Sequence, residues 1–237
     1  MRVLMNALNG GNRSGTGRYI SELAKALVDI EDENDYRFLW PRNLTAPFPD
    51  CESHFIRSST APLVRFFYEY RGMDGIAGRT QSDLVHYPTG IGPKFSKIPT
   101  VLTVHDMCFF HHPEWFSRSR ALYYRITMAA GIRSADHLIA DSQATAEDIM
   151  HFLDIPESRI DVVPLGVDTC FHPASSEEIR QVRQVYKLPE RFFLFVGTLE
   201  PRKNLGRLIK AWTGVCDKVP SLVIAGRYGW GDSGLTG

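Results

Sequence analysis

Short apolar runs alternate with helical stripes along most of the chain. The runs have the length and the β-branched or aromatic content of buried strands. They are residues 2–6, 36–40, 54–56, 83–87, 100–104, 136–140, 160–163, 192–196 and 221–225. Because helical stripes separate these runs, the pattern predicts an α/β protein with a mainly parallel sheet.

The helical stripes repeat every three or four residues. The first predicted helix carries Ile20 and Leu27, and the last carries Leu205 and Trp212. A helix with Phe66, Phe67 and Tyr70 is expected to pack on the sheet. Further helices are predicted over residues 118–133, 142–153 and 177–186, the second of them capped by Ser142.

Residues 164–176 have the Pro, Gly and Ser content of a linker. We therefore expect two domains, residues 1–170 and residues 171–237. The second contains only two predicted strands and two helices, which cannot cover both faces of a parallel sheet. This shortage predicts that the second domain is incomplete and that the sequence is a fragment.

Composition narrows the functional classes. The chain has 27 acidic and 27 basic residues, so it lacks the broad positive field that a nucleic-acid backbone attracts. Its four cysteines show no metal spacing, which favours buried thiols in a reduced, cytoplasmic protein; they are Cys51, Cys108, Cys170 and Cys216. The first residues read as a strand instead of a signal peptide, and no apolar stretch is long enough to cross a membrane.

Positive charge is concentrated at the turn between the run 192–196 and the last helix. Arg202 and Lys203 stand where that helix should begin, Asn204 is placed to cap it, and Glu200 is the nearby acid. A helix start carries partial positive charge and unsatisfied N–H groups, so two further cations there indicate an anion site. A diphosphate offers suitable acceptor oxygens. The alternative is that both basic side chains simply face solvent.

The loop after the first strand is rich in glycine. Gly15, Thr16 and Gly17 lie at the expected start of the first helix, where glycine lets backbone N–H groups approach a ligand. The loop is neither a P-loop, because Thr16 replaces the required Lys, nor a dinucleotide fingerprint, because the third Gly is missing. A plain tight turn remains the alternative.

His105 and Asp106 directly follow the run 100–104. The carboxyl ends of parallel strands face the ligand crevice, so His105 is a candidate to bind a sugar hydroxyl or stabilise developing charge. Asp106 either orients that imidazole or caps the next turn. His111 and His112 are adjacent and lack the other ligands of a metal site, so no metal is expected there.

Five motifs in order resemble glycosyltransferase family 4: MRVLMNALNGGNRSGTGRYISELAKAL, TVHDMCFFHHPEWFS, ADSQATAEDI, VVPLGVDTCFHP and FVGTLEPRKN. The resemblance implies the GT-B type of α/β fold, with two Rossmann-like domains. The first would be the acceptor-side domain and the second the nucleotide-sugar-binding domain, here truncated. Two features depart from the family pattern: Thr198 stands where many members have Arg, and the Glu-x7-Glu motif has no counterpart.

The resemblance also implies an activity. The family's members transfer a hexose, mannose among the candidates, from a nucleotide-diphosphate sugar to an acceptor hydroxyl with retention and without a metal or other cofactor. Expected partners are the nucleotide-sugar donor and a saccharide or lipid-linked acceptor in polysaccharide or glycan biosynthesis, with peripheral contact at the inner face of the membrane. His105 would be the cleft histidine, Gly15 to Gly17 would line the cleft, and Arg202 and Lys203 would contact the phosphates.

Two other classes compete with this interpretation. A nucleotide-dependent oxidoreductase would need the third Gly of the fingerprint and an acidic residue ending the second strand, where the sequence reads Leu39-Trp40-Pro41-Arg42. A non-catalytic acceptor-binding module would keep the first domain and lack the donor half.

Overall fold

The computed structural model describes residues 1–12, 14–30, 33–44 and 55–229. Its strands and helices alternate, as the pattern predicts. The strands are β1 (Arg2–Asn6), β2 (Asp35–Pro41), β3 (Phe55–Ser58), β4 (Leu84–Tyr87), β5 (Thr100–Val104), β6 (His137–Ala140), β7 (Ile160–Val162), β8 (Phe192–Val196) and β9 (Ser221–Ala225). The helices are α1 (Gly15–Asp29), α2 (Pro62–Tyr70), α3 (Asp74–Thr80), α4 (Cys108–His111), α5 (Arg118–Ser134), α6 (Gln143–Leu153), α7 (Ser176–Tyr186) and α8 (Leu205–Thr213).

The chain divides into two compact units. The first comprises Met1–Pro113 and Ser117–Leu165, and the second contains the chain from Gly166 onward. Seven parallel strands form the sheet of the first unit, in the order β3-β2-β1-β4-β5-β6-β7. This order reverses direction between β1 and β4, which makes that position the topological switch point of a doubly wound sheet.

Both faces of the first sheet are buried. Leu4 belongs to the same buried cluster as Ile132 and Ile149 of the helices on one face, whereas its neighbour Met5 belongs to a second cluster with Ile20 of α1 on the other. Successive side chains of a strand point to opposite faces, so β1 contributes to both cores. Such two-sided burial explains why the strands read as continuous apolar runs.

The second unit has a smaller sheet. β8 and β9 pair in parallel from Phe192↔Ser221 to Val196↔Ala225. Ser175 and Glu178 form a capping box at the start of α7, which fixes where that helix begins. Phe193 and Val196 remain 52% and 71% exposed, so the described elements leave much of this sheet uncovered.

Most predicted elements are confirmed within one or two residues, including the helix capped by Ser142, whose hydroxyl accepts the Thr145 N–H. His54, in one predicted strand, lies outside the described residues, and the observed strand begins at Phe55.

The helix predicted from Phe66, Phe67 and Tyr70 packs on the core of the first unit through its Tyr68, and not through Phe66 or Phe67. Both side chains are about half exposed, because α2 turns its Glu69 side inward instead. The helix itself, which a stripe of this spacing predicts, is confirmed. An apolar stripe therefore identified the helix correctly and gave the wrong buried face.

The prediction of buried thiols is also wrong for the described cysteines. Cys170 is exposed, and Cys108 and Cys216 are partly exposed. All three follow irregular chain or lie near the ends of helices, where side chains are less covered than in the sheet. Cys51 lies outside the described residues.

Candidate functional site

A pocket of about 400 Å³ opens in the first unit at the carboxyl edge of its sheet. Its walls come from the loops after β1, β4 and β5 and from α1, α2 and α5. Residues from these elements include Asn9, Thr16, Arg65, Thr89, His105 and Tyr124. The loops after β1 and β4 meet at the switch point, which is where doubly wound proteins bind ligands.

The glycine-rich loop closes into the start of α1. Ser14 caps the helix, because its hydroxyl accepts the Gly17 N–H at 3.1 Å. A Cβ atom on Gly17 would collide with the carbonyl and side-chain oxygens of Asn12, whereas one on Gly15 would meet nothing within 4 Å. Gly17 is therefore required by close packing, and of the three predicted binding residues only Thr16 lines the pocket.

His105 lies in the pocket wall with both ring nitrogens engaged. Its Nδ1 is 2.6 Å from Asp141 Oδ2, and its Nε2 is 3.0 Å from the Pro88 carbonyl oxygen. Tyr19 packs edge-on against the ring, with the centroids 4.8 Å apart. These three contacts fix the imidazole, and the side chain of His105 is 21% exposed.

Asp141, which the sequence analysis did not single out, is the residue that orients His105. It follows β6 as His105 follows β5, and the register pairs Val104 with Ala140, so the next residues of both strands come together. Asp106 instead accepts the Cys108 N–H at 3.1 Å and caps the next turn. The alternatives for Asp106 are thereby decided in favour of the cap.

Burial and the neighbouring polar groups change the pKa of His105 in opposite directions. Burial alone would lower the pKa of His105, but the hydrogen bond and charge of Asp141, helped by the Pro88 carbonyl and Asp106, outweigh burial and raise it above 6.5. His86 is the opposite case, because burial and the nearby His105 lower its pKa to about 4. His86 Nε2 lies 2.8 Å from the Thr103 hydroxyl.

A buried carboxylate forms another part of the pocket. Glu69 is 7% exposed, and its carboxylate pairs with Arg65 across one turn of α2, 3.4 Å apart. Burial raises the pKa of Glu69, partly offset by Arg65 and by a hydrogen bond from Asn9. Phe109 of α4 stacks on Tyr124 of α5, with the ring centroids 4.4 Å apart. Polar and aromatic side chains therefore both line the pocket, as in sites that bind small molecules.

The basic turn lies in the second unit. Pro201–Lys203 form a 3-10 turn before α8, with Lys203 exposed. Arg202 Nε donates to Glu200 Oε1 at 2.7 Å, and Glu200 is 3% exposed. Arg202 thus already has an anionic partner in the chain, whereas the exposed position of Lys203 leaves its ammonium accessible.

The predicted cap at this turn is wrong. Asn204 occupies the capping position but adopts φ 54° and ψ 32°, and its side chain makes no capping hydrogen bond. A capping side chain needs extended backbone at that position, which the preceding 3-10 turn prevents. The start of α8 therefore has no side-chain cap from Asn204.

The structure brings Thr16 and His105 into one pocket and puts Arg202 and Lys203 in the other unit. Sequence reasoning missed Asp141, Glu69 and His86. The rule applied to His105, that a polar residue ending a strand faces the crevice, would have found Asp141 as well. No comparable signal marks Glu69, whose position depends on which side of α2 is buried.

The fold and the pocket define a doubly wound α/β protein with its ligand site at the carboxyl edge of a parallel sheet. A sequence model described as Glycosyltransferase Family 4 matches residues 13–171. The chain belongs to this family, and its predicted fold class, α/β of the GT-B type, is confirmed.

Individual relatives have low sequence identity to this chain. O-antigen chain mannosyltransferase B of Escherichia coli is 24% identical over 244 residues, covering 94% of this chain and 63% of the relative. D-inositol 3-phosphate glycosyltransferase of Salinispora tropica is 34% identical over 97 residues, 38% of this chain and 20% of the relative. The chain thus spans less than two thirds of the length of either relative.

Among solved structures, Anabaena Alr3699/HepE in complex with UDP and glucose superposes with a TM-score of 0.63. The identity is 20%, and the match covers 94% of this chain and 60% of that one. The same protein in complex with UDP-glucose gives a TM-score of 0.61 at 21% identity, covering 94% and 59%. At these identities the likeness concerns the fold.

Among the described residues, no helix combines the length and the apolar character that crossing a bilayer requires.

Proposed function

We propose that this chain is the acceptor-side domain and the start of the donor domain of a hexosyltransferase. The enzyme would move a hexose, such as mannose, from a nucleotide-diphosphate sugar to an acceptor hydroxyl, with retention and without a metal cofactor. Family membership supports the reaction class. The similarity to O-antigen chain mannosyltransferase B supports a glycan product.

The observation that carries the donor side of this proposal is the turn before α8. Lys203 is exposed beside a helix start that Asn204 does not cap, and Arg202 is held in place by Glu200. Cations and backbone N–H groups at one helix start favour an anion with several oxygens. The diphosphate of a sugar donor has this chemistry, and the related Alr3699/HepE was crystallised with UDP-glucose.

In the proposed reaction, negative charge develops on the departing nucleoside diphosphate as the glycosidic bond breaks. Lys203 and the start of α8 would stabilise that charge more strongly in the transition state than in the bound donor, which lowers the barrier. Arg202 would contribute less than a lone Arg, because Glu200 already neutralises part of its charge.

The first prediction tests this role. Lys203→Ala, made in the protein expressed from its complete reading frame, should lower kcat for glycosyl transfer by about a hundredfold or more, the usual cost of losing one preorganised group. Transfer from radiolabelled nucleotide-diphosphate hexoses provides the measurement. Lys210→Ala, which removes an exposed cation from the last turn of the same helix, is the control and should retain activity. Unchanged turnover in Lys203→Ala would refute the proposed role.

We also propose that the acceptor is a lipid-linked saccharide reached at an anionic membrane surface, on the cytoplasmic side. Exposed apolar side chains on α2 and α5 support this: Leu63 is 84% exposed, and Leu122 and Ile126 are 61% and 60% exposed. Phe66 and Phe67 are each about half exposed beside Leu63. The ring of Tyr70 on α2 lies near the ring of Tyr123 on α5, so the two helices that carry these side chains are neighbours.

The charge near these apolar residues matches anionic headgroups. Arg118, Arg120 and Arg125 are all exposed on α5. Arginine beside exposed aromatic residues is the composition of surfaces that lie on anionic bilayers. The same two helices supply Arg65 and Tyr124 to the pocket, so a saccharide in the pocket would have its lipid near the apolar side chains.

The second prediction concerns vesicle binding. The protein should sediment with vesicles containing phosphatidylglycerol and not with vesicles of phosphatidylcholine alone. The double variant Phe66→Ser with Phe67→Ser should weaken binding by at least about tenfold, because each loses apolar burial in the interface. Phe95→Ser, which removes another exposed Phe, is the control and should bind normally. Equal binding to both vesicle types, or no binding, would contradict the proposed membrane contact.

A further inference from the structure

The strongest unexplained arrangement is the set of contacts that surrounds His105. A histidine can use its two ring nitrogens as one donor and one acceptor, or as two donors when it is protonated. Here both neighbours accept: Asp141 offers a carboxylate oxygen to Nδ1, and Pro88 offers a carbonyl oxygen to Nε2. Beside an ionised Asp141, a neutral imidazole would leave one of these short contacts as two acceptors facing each other.

We propose that Asp141 is a positioning residue that holds His105 as a fixed imidazolium, so that His105 acts on the bound substrate through its charge and not as a proton acceptor. The inference about protonation stands on geometry, and only its kinetic consequence rests on the proposed glycosyl transfer.

The burial of Asp141 supports the same state. Its side chain is 13% exposed, and its Oδ1 is a buried atom without a hydrogen-bond partner among the described residues. A carboxylate in such a place is costly unless a positive charge compensates it. His105 at 2.6 Å from Oδ2 supplies that charge if both of its nitrogens carry hydrogen.

The other titratable groups around His105 are arranged consistently with one positive charge. Burial and the nearby His105 lower the pKa of His86 to about 4. His86 therefore carries no second positive charge beside His105 at neutral pH. Asp106 is exposed, and it raises the pKa of His105 less than Asp141 and the Pro88 carbonyl do. Tyr19 donates no charge, since burial raises its pKa above 10.0. The charge is therefore localised on His105.

The consequence for catalysis is specific. An imidazolium bonded on both sides has no lone pair with which to take a proton from an acceptor hydroxyl. It can stabilise developing negative charge on the substrate, since its orientation is fixed before reaction. His105 would thus contribute as a preorganised positive group at the pocket wall, and deprotonation would remove this contribution.

Nuclear magnetic resonance of the ring nitrogens tests the protonation state directly in the unaltered chain. At pH 7 we expect the Nδ1 and Nε2 resonances of His105 both to have the shifts of protonated nitrogens. A neutral ring with one protonated nitrogen at that pH would overturn the proposal. This measurement requires no activity, so it gives an answer even if the chain has a different function.

The variant Asp141→Asn then tests the assigned cause. Losing the adjacent charge should lower the pKa of His105 by about one unit or more. Asp106→Asn is the matched control and should shift the pKa less, because Asp106 is exposed and is not hydrogen-bonded to the ring. Equal shifts in the two variants would contradict the assignment.

In the complete enzyme, the alkaline limb of the kcat profile should move to lower pH in Asp141→Asn by the same amount as the pKa of His105. KM for the donor should change less than kcat, because the charge acts in the transition state. A purely structural Asp141 would lower activity equally at all pH values, and that outcome would overturn the catalytic part while leaving the resonance data valid.

Discussion

Two of the turns that lead from a parallel strand into a helix in this chain are closed in different ways. In the first unit, the loop after β1 enters α1 through Ser14, whose hydroxyl caps the helix. In the second, the chain after β8 enters α8 through a 3-10 turn, and Asn204 adopts a left-handed conformation without capping. The sequence predicts a loop that approaches a ligand at the first turn and an anion site at the second, and of these two turns only the second leaves its helix start without a capping side chain.

This difference separates two tasks that similar strand–turn–helix patterns can perform. At the first turn, the Gly17 N–H already donates to the Ser14 hydroxyl, so it is not offered to a ligand. This loop therefore contributes to the pocket through its shape. At the second turn, positive charge and an uncapped helix start coincide, which favours an external anion.

Packing should give the largest effect. Gly17→Ala should reduce the free energy of unfolding of the first unit by roughly 2 kcal/mol, because the added methyl collides with Asn12 and the backbone must shift. Gly15→Ala, two residues earlier, is the matched control, since its methyl would meet nothing within 4 Å. Denaturant unfolding measures both. A Gly17→Ala protein as stable as Gly15→Ala would show that the loop is not tightly closed.

The same turn shows what sequence reasoning can and cannot predict. The sequence predicts that Gly15 to Gly17 lie at the start of a helix and that 100–104 and 192–196 are strands, because local pattern and propensity determine these elements. The partner of His105 depends on the pairing of Val104 with Ala140, which no local pattern reveals. The same holds for Phe66 and Phe67, because their spacing predicts a helix but does not determine whether the face that carries them is buried.

The charged turn was predicted only in part. The sequence shows Glu200 and Arg202 close together, but their pairing depends on the 3-10 geometry of Pro201–Lys203. The capping role of Asn204 was wrong for the same reason, since its side chain and its preference for turns are compatible with two backbone conformations. Residue type therefore limits the possible roles, and backbone conformation decides among them.

The cap should give an intermediate effect. Ser14→Ala should destabilise the start of α1 by about 1 kcal/mol, since the Gly17 N–H loses its acceptor. Hydrogen exchange of the amides in the first turn of α1 should accelerate by about fivefold for that energy. Ser14→Asp should restore most of the protection, because aspartate is an equally good cap. Loss of protection in both variants would point to the contacts with Asn12 instead of the cap.

The substitution Asn204→Gly should give the smallest effect, and position 204 should give the sharpest contrast with position 14. Asn204→Gly should change exchange in α8 only slightly, because glycine adopts the left-handed conformation without strain while adding some freedom to the unfolded chain. Asn204→Ser should cost about 1 kcal/mol, although serine is a good cap, because serine tolerates a positive φ poorly. At position 14 the preference should reverse, with serine favoured over glycine. Should Asn204→Ser protect α8 better than Asn204→Gly, the side chain at this position would be a cap after all, and the start of α8 would not be open to a phosphate.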